Sequence, residues 1–563
     1  MDNSSANAAF IFVAANYDTS QESLVGRQVA SEEFLRGFAR HSGVEHMFCY
    51  TQTQPDFEEF TRRIETYVGA PRPTTWIRPT ELSAVGPIGT LFRPGPDIGH
   101  YAWLRRHFDQ RGFSLCGITH TTADNFAMDA LGGLMTAPLQ QWDALVCTSQ
   151  AVKDMVARLL DRWGEYLEER FGAPVRRQFE LPVIPLGVDC DRFTDDSLAH
   201  FARKEIRARH GIAEDDIAVL YMGRLSHADK VNPLPLYMAL EEAAKGSDRR
   251  FHFIQAGWFP NRYTEDAFRA AAAALAPSVN NVLVDGRVPE TRQGIWFAAD
   301  IFASTPDSIQ ETFGLTPLEA MAAGLAVVVS DWDGYRETVR DGIDGITVPT
   351  LMPGAGAGAD LAYYFAGDVT DYQGYALATS QSIAVDVAAL AAAFTRLAGD
   401  ADLRRRMGEA GRKRARESFD WRVVVAAYQA LWQELEERRR GADEIVQRRS
   451  GRPAYPLRDD PYALFETYPS VRIVPSSRVS AVPEADPGRL RALRGIIIAN
   501  PLPAVLLAEE EILAVFAKVA DGGCAVGALM EGLSPDKHAA LFRTIGWLAK
   551  IGLVRVDGGA APP

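Results

Sequence analysis

Along the first four hundred residues, short apolar and β-branched runs alternate with longer stretches of helical periodicity. The runs are AAFIFVAA, SLCGITH, DALVCTS and LPVIPLG, then AVLYMGR, FHFIQAG, NVLVDGR, DIFASTP and LAVVVSD. Runs this short and this uniformly apolar read as strands buried on both faces, and the helical stretches between them predict parallel sheets covered by helices. Runs up to about residue 187 form one set and those from about 217 to 348 another, separated by the turn-rich, acidic connector PLGVDCDRFTDDS. The pattern predicts an α/β chain with two doubly wound, Rossmann-like domains facing each other across a cleft.

The pattern changes afterwards. PTLMPGAGAGADLAYYFAGD is rich in Gly and Ala, but its spacing is wrong for a dinucleotide-binding turn and it does not join a strand to a helix. It reads as a loop. Helical stretches continue to about residue 440, followed by QRRSGRPAYPLRDDPYALFETYPS, a linker or an arm packed on the main body. The tail carries three helical patterns, AEEEILAVFAKVA, AVGALMEG and SPDKHAALFRTIGWLAKIG, with Ser534 and Pro535 as the N-cap and first position of the third. LVRVDGG follows as strand and turn, which predicts a small winged-helix-like module. The expected domains are 1–190 and 191–415 for the two Rossmann-like parts, 416–440 for a helix returning to the first, 441–500 for the linker or arm, and 501–563 for the winged helix.

Charge and composition narrow the function classes. With 563 residues and 47% hydrophobic content the chain can bury large cores. Its net charge of −14 opposes binding to nucleic acid or anionic surfaces. The same holds in the tail, where Glu509, Glu510, Glu511, Asp521, Glu531, Asp536 and Asp557 outnumber Lys518, Lys537, Arg543, Lys550 and Arg555. A protein or peptide partner suits that module better than DNA. The five cysteines are scattered, without CxxC or clustered histidines, as in a reduced, cytoplasmic protein without a zinc site. The N-terminal MDNSSANAAFIFVAANYD reads as a first strand rather than a signal peptide, and GIIIANPLPAVLLA falls short of the roughly 20 residues that span a bilayer.

Candidate chemistry concentrates in ETFGLTPLEAMAAGLAVVVSD, residues 311 to 331. Thr316, Pro317 and Glu319 spell a capping box at a helix start, and Gly324 sits where a C-cap glycine belongs. The free N–H groups of Phe313, Gly314 and Leu315 lie at this helix N-terminus, in the loop that emerges at the carboxyl end of DIFASTP, a place where phosphate is favoured. Glu311 precedes that anion site, so its carboxylate is better matched to sugar hydroxyls. In YMGRLSHADKVNP a strand ends in Gly223, and Arg224 and Lys230 follow as cations able to neutralise a diphosphate without a metal. Asp189 and Asp191 spell DxD, but in the connector, where a structural role is expected and no metal ligand is proposed.

Taken together, GRLSHADK, IPLGVDCDRF, ETFGLTPLE and AAGLAVVVSDWDGYRETVRDGIDGITV resemble the retaining glycosyltransferases of family 4, which have the GT-B fold. The resemblance covers roughly residues 8 to 435. It implies a nucleotide diphosphate sugar as donor substrate and no further cofactor. Arg224 and Lys230 would hold the diphosphate, Glu319 the ribose, Glu311 the donor sugar, and the main chain of Phe313, Gly314 and Leu315 a phosphate. Arg287 and Val288 in GRVPE would sit against the base, and His120 in GITHTTADN would face the sugar across the cleft. Gly26, Arg27 and Gln28, in the loop after the first strand, would approach donor and acceptor, although that loop lacks the paired glycines of the family. FIQAGWFPNRYTEDAF also departs from the family's glycine-rich turn, and Trp258 there either walls the cleft or packs in the core. Transfer with retention to an unidentified acceptor is the implied reaction, the acceptor being a glycan, a lipid-linked sugar, a small metabolite or a protein. A GT-B phosphorylase or hydrolase competes as an enzyme, and an inactive sugar-nucleotide sensor whose winged helix docks a partner competes as a binding protein.

Overall fold

A computed structural model describes residues 6–17, 26–194, 196–228 and 230–561. The chain divides into a unit spanning Met1–Arg449 and a second spanning Ser450–Pro563. The first unit holds two parallel six-stranded sheets. One is built from β1 (Ala9–Ile11), β2 (Met47–Tyr50), β3 (Thr74–Ile77), β4 (Thr90–Arg93), β5 (Ser114–Ile118) and β6 (Ala144–Val146), in the order β3-β2-β1-β4-β5-β6. The other is built from β7 (Ile217–Met222), β8 (Phe251–Gly257), β9 (Asn280–Asp285), β10 (Ile301–Ser304), β11 (Ala326–Ser330) and β12 (Gly345–Val348), in the order β12-β11-β10-β7-β8-β9. Helices cover both faces of the strands, and β8 and β11 are buried at every position, as their continuous apolar runs require.

One predicted strand is not formed as such. LPVIPLG and the Glu180 before it meet the edge of the first sheet only through isolated bridges, at Glu180 and Val183. Pro182 and Pro185 withhold the donors that a regular ladder needs. The connector that follows is held by ion pairs: Asp189 accepts from the Asp191 amide and pairs with Arg40 at 3.1 Å, and Asp191 pairs with Arg422. Both carboxylates of the DxD are thus engaged by arginines.

The helix Trp421–Gly441 packs on the helix Gly26–His41 of the first domain. Tyr428 meets Phe34 at 4.7 Å and Trp432 meets Phe38 at 5.4 Å, with Trp421, Tyr428 and Trp432 all buried. The Trp421 amide donates to the Val188 carbonyl of the connector at 3.3 Å, and the Val188 amide donates to the Phe419 carbonyl at 2.8 Å. Truncating it would open a large cavity where the returning helix meets that connector. Trp421→Ala is expected to cost about 3–5 kcal/mol, measured as a shift in the denaturant midpoint. A cost below about 1 kcal/mol would contradict this packing.

The second unit is built around a three-stranded antiparallel sheet with the strand Arg478–Ala481 in the middle, between Cys524–Ala525 and Val554–Asp557. Helices Glu509–Ala520, Val526–Met530 and His538–Lys550 bury Val479, Ile512, Phe516, Leu541 and Leu548 with it. Two expectations need correction. The segment 441–500 is not wholly a linker, because it supplies the central strand and Leu490 of this core. The winged-helix pattern is also altered, since the partner of Val554–Asp557 comes from before the first helix and not from a hairpin after the third. Ser534 opens a short turn, Pro535–Lys537, without a side-chain cap bond, and the long helix begins at His538. Among the described residues no helix is long and apolar enough to cross a membrane.

Candidate functional site

The second sheet reverses its winding between β7 and β10, so the loops after these two strands diverge and leave a crevice at their carboxyl ends. Those loops are the two motifs singled out in the sequence. Gly223, Arg224 and Lys230 follow β7, and Glu311 to Leu315 follow β10. Their meeting is direct: Lys230 Nζ lies 3.2 Å from Glu311 Oε2. The other carboxylate oxygen, Oε1, accepts from the Thr312 amide at 3.3 Å. The Glu311 side chain is only 13% exposed, so it is held close to the cation with little water between them.

Arg224 lies with its guanidinium 5.9 Å from the ring of Trp258, which follows β8 and is half-buried. Of the two readings of Trp258, its place beside Arg224 is that of a wall of the crevice. Gly257, just before it, is required by close approach, because a Cβ there would lie 1.9 Å from the Gly223 carbonyl.

The helix Leu315–Ala323 starts earlier than the capping box predicts. Its N-cap is Gly314, at φ 85° and ψ 93°, and no side chain caps it. Thr316 and Pro317 fall inside the first turn, where amides lack intrahelical acceptors and proline is tolerated. Glu319 is consequently in the second turn and does not cap; its carboxylate lies 3.8 Å from Arg192. The Gly324 C-cap is formed, at φ 83°. Phe313 turns its ring into the core, 2% exposed and 6.3 Å from Phe419, so its side chain is not available to a ligand.

His120 follows β5 in the first domain, and its carbonyl accepts from Thr312 Oγ1 at 2.8 Å. The Thr312 carbonyl in turn accepts from Ser149 Oγ at 3.0 Å and Thr148 Oγ1 at 3.5 Å. The residue next to Glu311 is therefore clamped by two loops of the opposite domain. Glu337 adds a second crossing: its Oε1 accepts from the amides of Gln150 and Ala151 at the start of the helix Gln150–Phe171, where a carboxylate is favoured by the helix dipole. Thr312, Ser149 and Glu337 were not found by sequence reasoning, because each matters through a contact between domains.

The remaining predicted residues are more peripheral. Arg287 pairs with Asp285 at 2.9 Å on an exposed turn, and Val288, 40% exposed, is the N-cap of the helix Pro289–Ala298. Gly26 and Arg27 begin the helix Gly26–His41, but their side-chain surroundings and residues 18–25 of their loop lie outside the described residues. Gln28 is buried, and its amide donates to the Ala15 carbonyl at 3.1 Å, which ties it to the turn after β1.

Three carboxyls near the crevice are pushed upward, among them Asp333, raised well above the usual carboxylate range by burial and then by the charge of Glu311. Burial raises Asp307, 4% exposed, to about 7, against a hydrogen bond from the Asn232 amide. Burial also raises Glu319, with Arg192 pulling back, but its side chain keeps 22% of its surface and the push is correspondingly weaker. For Asp307 the folded value lies above the unfolded one, so its stability contribution is present below about pH 4 and is lost as pH rises through about 7. Asp307→Asn is expected to flatten that loss. Denaturant midpoints at about pH 5 and about pH 8 measure it, and an unchanged pH dependence in the variant would contradict the assignment.

Comparison with known proteins finds relatives for the same part of the chain. Residues 202–354 match the family described as Glycosyl transferases group 1. The D-inositol 3-phosphate glycosyltransferase of Geodermatophilus obscurus is 32% identical over 207 residues, 35% of this chain and 42% of that protein. The alpha-maltose-1-phosphate synthase of Mycobacterium tuberculosis is 33% identical over 166 residues, 28% of this chain and 34% of that protein. The chain thus spans less than half the length of these curated relatives. Among solved structures, sucrose-phosphate synthase from Thermosynechococcus elongatus aligns with a TM-score of 0.47 at 19% identity, over 76% of this chain and 98% of that one. Anabaena HepE in complex with UDP aligns with a TM-score of 0.49 at 14% identity, over 76% and 100%. The crevice of the second sheet therefore lies within the stretch that matches group 1 glycosyl transferases, in a chain of two parallel, Rossmann-like sheets.

Proposed function

We propose that the protein transfers a glycosyl group from a nucleotide diphosphate sugar to an acceptor hydroxyl, with retention at the anomeric carbon and without a metal. The observation that carries this reading is the convergence of Arg224, Lys230 and Glu311 with the start of the helix Leu315–Ala323 at the reversal point of the second sheet. Cations and helix amides at that point suit a diphosphate leaving group, whose growing charge is the main burden of the transition state. In this reading the diphosphate draws the charge of Lys230 away from Glu311, and the freed carboxylate accepts hydroxyls of the donor sugar. Glu319 addresses the ribose, Arg287 and Val288 flank the base, and His120 faces the sugar from the first domain. The leaving phosphate takes the acceptor proton on the face it departs from, so no side chain serves as a covalent nucleophile. The names of the curated relatives agree with transfer chemistry, and the second unit is read as a docking module for a protein or peptide partner.

The test is to incubate the protein with its donor and a panel of hydroxyl acceptors and to follow nucleotide release together with the anomeric configuration of the product by proton NMR. Release that depends on acceptor, with the donor's configuration kept, is expected. Release without acceptor would favour a hydrolase, and an inverted product would overturn retention. Donor binding with no release under any acceptor would leave the sensor reading in its place.

A further inference from the structure

The helices Asn125–Leu134 and Gln150–Phe171 leave a groove of about 710 Å³ between them on the first domain. Both helices start at the cleft. Asp124 caps the first, four residues after His120, and Ser149 caps the second while donating to Thr312. The groove begins about one turn along each, at Met128 and Met155, and runs outward to Thr136 and Trp163.

Gly132 and Gly133, in the last turn of the helix Asn125–Leu134, line the groove. Packing does not demand them. A Cβ on Gly133 would meet nothing within 4 Å, and one on Gly132 would meet only the Trp163 ring, at 3.7 Å. What their missing side chains do is keep the groove open. Met128, Met155 and Leu159 give it an apolar, adaptable lining, and Trp163, 39% exposed, stacks on Tyr166 at the rim. Arg158 and Arg162, one turn apart, also line it, and among the described residues neither makes an ion pair or hydrogen bond. Asp129 is the one carboxylate in the lining, so the groove carries a positive surplus. An apolar trough edged by two unpaired guanidinium groups matches a chain that bears an anion, and offers few hydrogen bonds to a bare glycan.

We propose that this groove is an acceptor subsite that holds the non-reacting part of an anionic amphiphile, an alkyl chain along Met128, Met155, Leu159 and Trp163 and a phosphate or carboxylate on Arg158 and Arg162. The assignment to the acceptor rests on the transferase reading; the binding does not. Binding energy gained there would hold the reacting hydroxyl beside His120.

The test uses dodecyl phosphate below its micelle-forming concentration, titrated calorimetrically into the full chain, with inorganic phosphate and dodecyl maltoside as comparators. Dodecyl phosphate is expected to bind more tightly than either comparator, and both the paired variant R158E/R162E and Gly133→Leu are expected to weaken it about tenfold or more. Gly133→Leu places its side chain in open space, so its fold should persist. Equal affinity for dodecyl maltoside, absence of binding to the wild type, or unchanged binding in both variants would each overturn the proposal. A donor-induced thermal shift measured in parallel separates the two readings. A groove variant that loses the amphiphile but keeps the donor shift supports the subsite, whereas amphiphile binding without any donor shift leaves the groove standing and removes the transferase assignment.

Discussion

Arg224→Ala is expected to lower turnover by about 10²–10³ while the protein stays folded. Arg224 follows the carboxyl end of β7, with its guanidinium 5.9 Å from the ring of Trp258, in the same loop as Lys230. In the proposed reading two cations would share the leaving diphosphate, so removing one would withdraw stabilisation that matters most when the glycosyl bond breaks. Its contact with Trp258 is worth about 0.5–1 kcal/mol at a half-exposed site. Arg224→Lys keeps the charge but loses the planar fork and should recover only part of the rate. Release of nucleotide, measured beside a denaturant midpoint, decides the matter. Near-normal turnover in a folded Arg224→Ala protein would remove this residue from the chemistry.

Gly314→Ala is expected to be the most damaging single methyl group in the site. The residue holds φ at 85°, and a Cβ there would lie 1.8 Å from Tyr335 Cε1. Tyr335 cannot easily yield, being buried with its hydroxyl 3.1 Å from Ser304 Oγ at the end of β10. Backbone strain of about 1–3 kcal/mol and overpacking of about 1–3 kcal/mol add together, and the helix start that would cradle the phosphate is displaced. The variant should lose both stability and the donor-induced thermal shift. Tyr335→Leu in the same chain should return some stability by clearing the clash, while the φ requirement remains. A Gly314→Ala protein with an unchanged midpoint and an unchanged donor shift would contradict the geometry of this turn.

The legible part of the fold was the uniform burial of its longer strands. FHFIQAG and LAVVVSD are buried on both faces and stand out as apolar runs. MFCY, TTWI and TLFR have no apolar neighbours to extend them, being flanked by His46 and Thr51, Pro73 and Arg78, and Gly89 and Pro94, so β2, β3 and β4 did not stand out as runs. RVSA was hidden for another reason: its partners are Cys524–Ala525 and Val554–Asp557, far along the chain, and the segment around it reads as an arm. In the candidate site the charged residues were legible, since Arg224, Lys230 and Glu311 belong to recognisable motifs. Their 3.2 Å pairing was not, because it depends on the strand order that sets β7 beside β10.

The capping box shows how a local signal can compete with another. GLTPLE contains both a glycine able to start a helix from a positive φ and a Thr-Pro-x-Glu able to cap one. The tertiary requirement at Gly314 prevailed, with Tyr335 packed against it, and Glu319 was released from capping to face Arg192. Thr312 illustrates the opposite limit. Nothing in ETFG marks it, yet its hydroxyl and carbonyl join the loop of Glu311 to His120 and Ser149 of the other domain.

The most direct measurement is the thermal shift of the full chain with a panel of nucleotide diphosphate sugars, run beside Lys230→Ala. A donor at 100 times its dissociation constant should stabilise the wild type by about 2.7 kcal/mol, and Lys230→Ala should lose most of that gain at the same concentration. A wild-type protein that no nucleotide sugar stabilises, or a Lys230→Ala protein stabilised just as much, would contradict the claim that this crevice holds the donor.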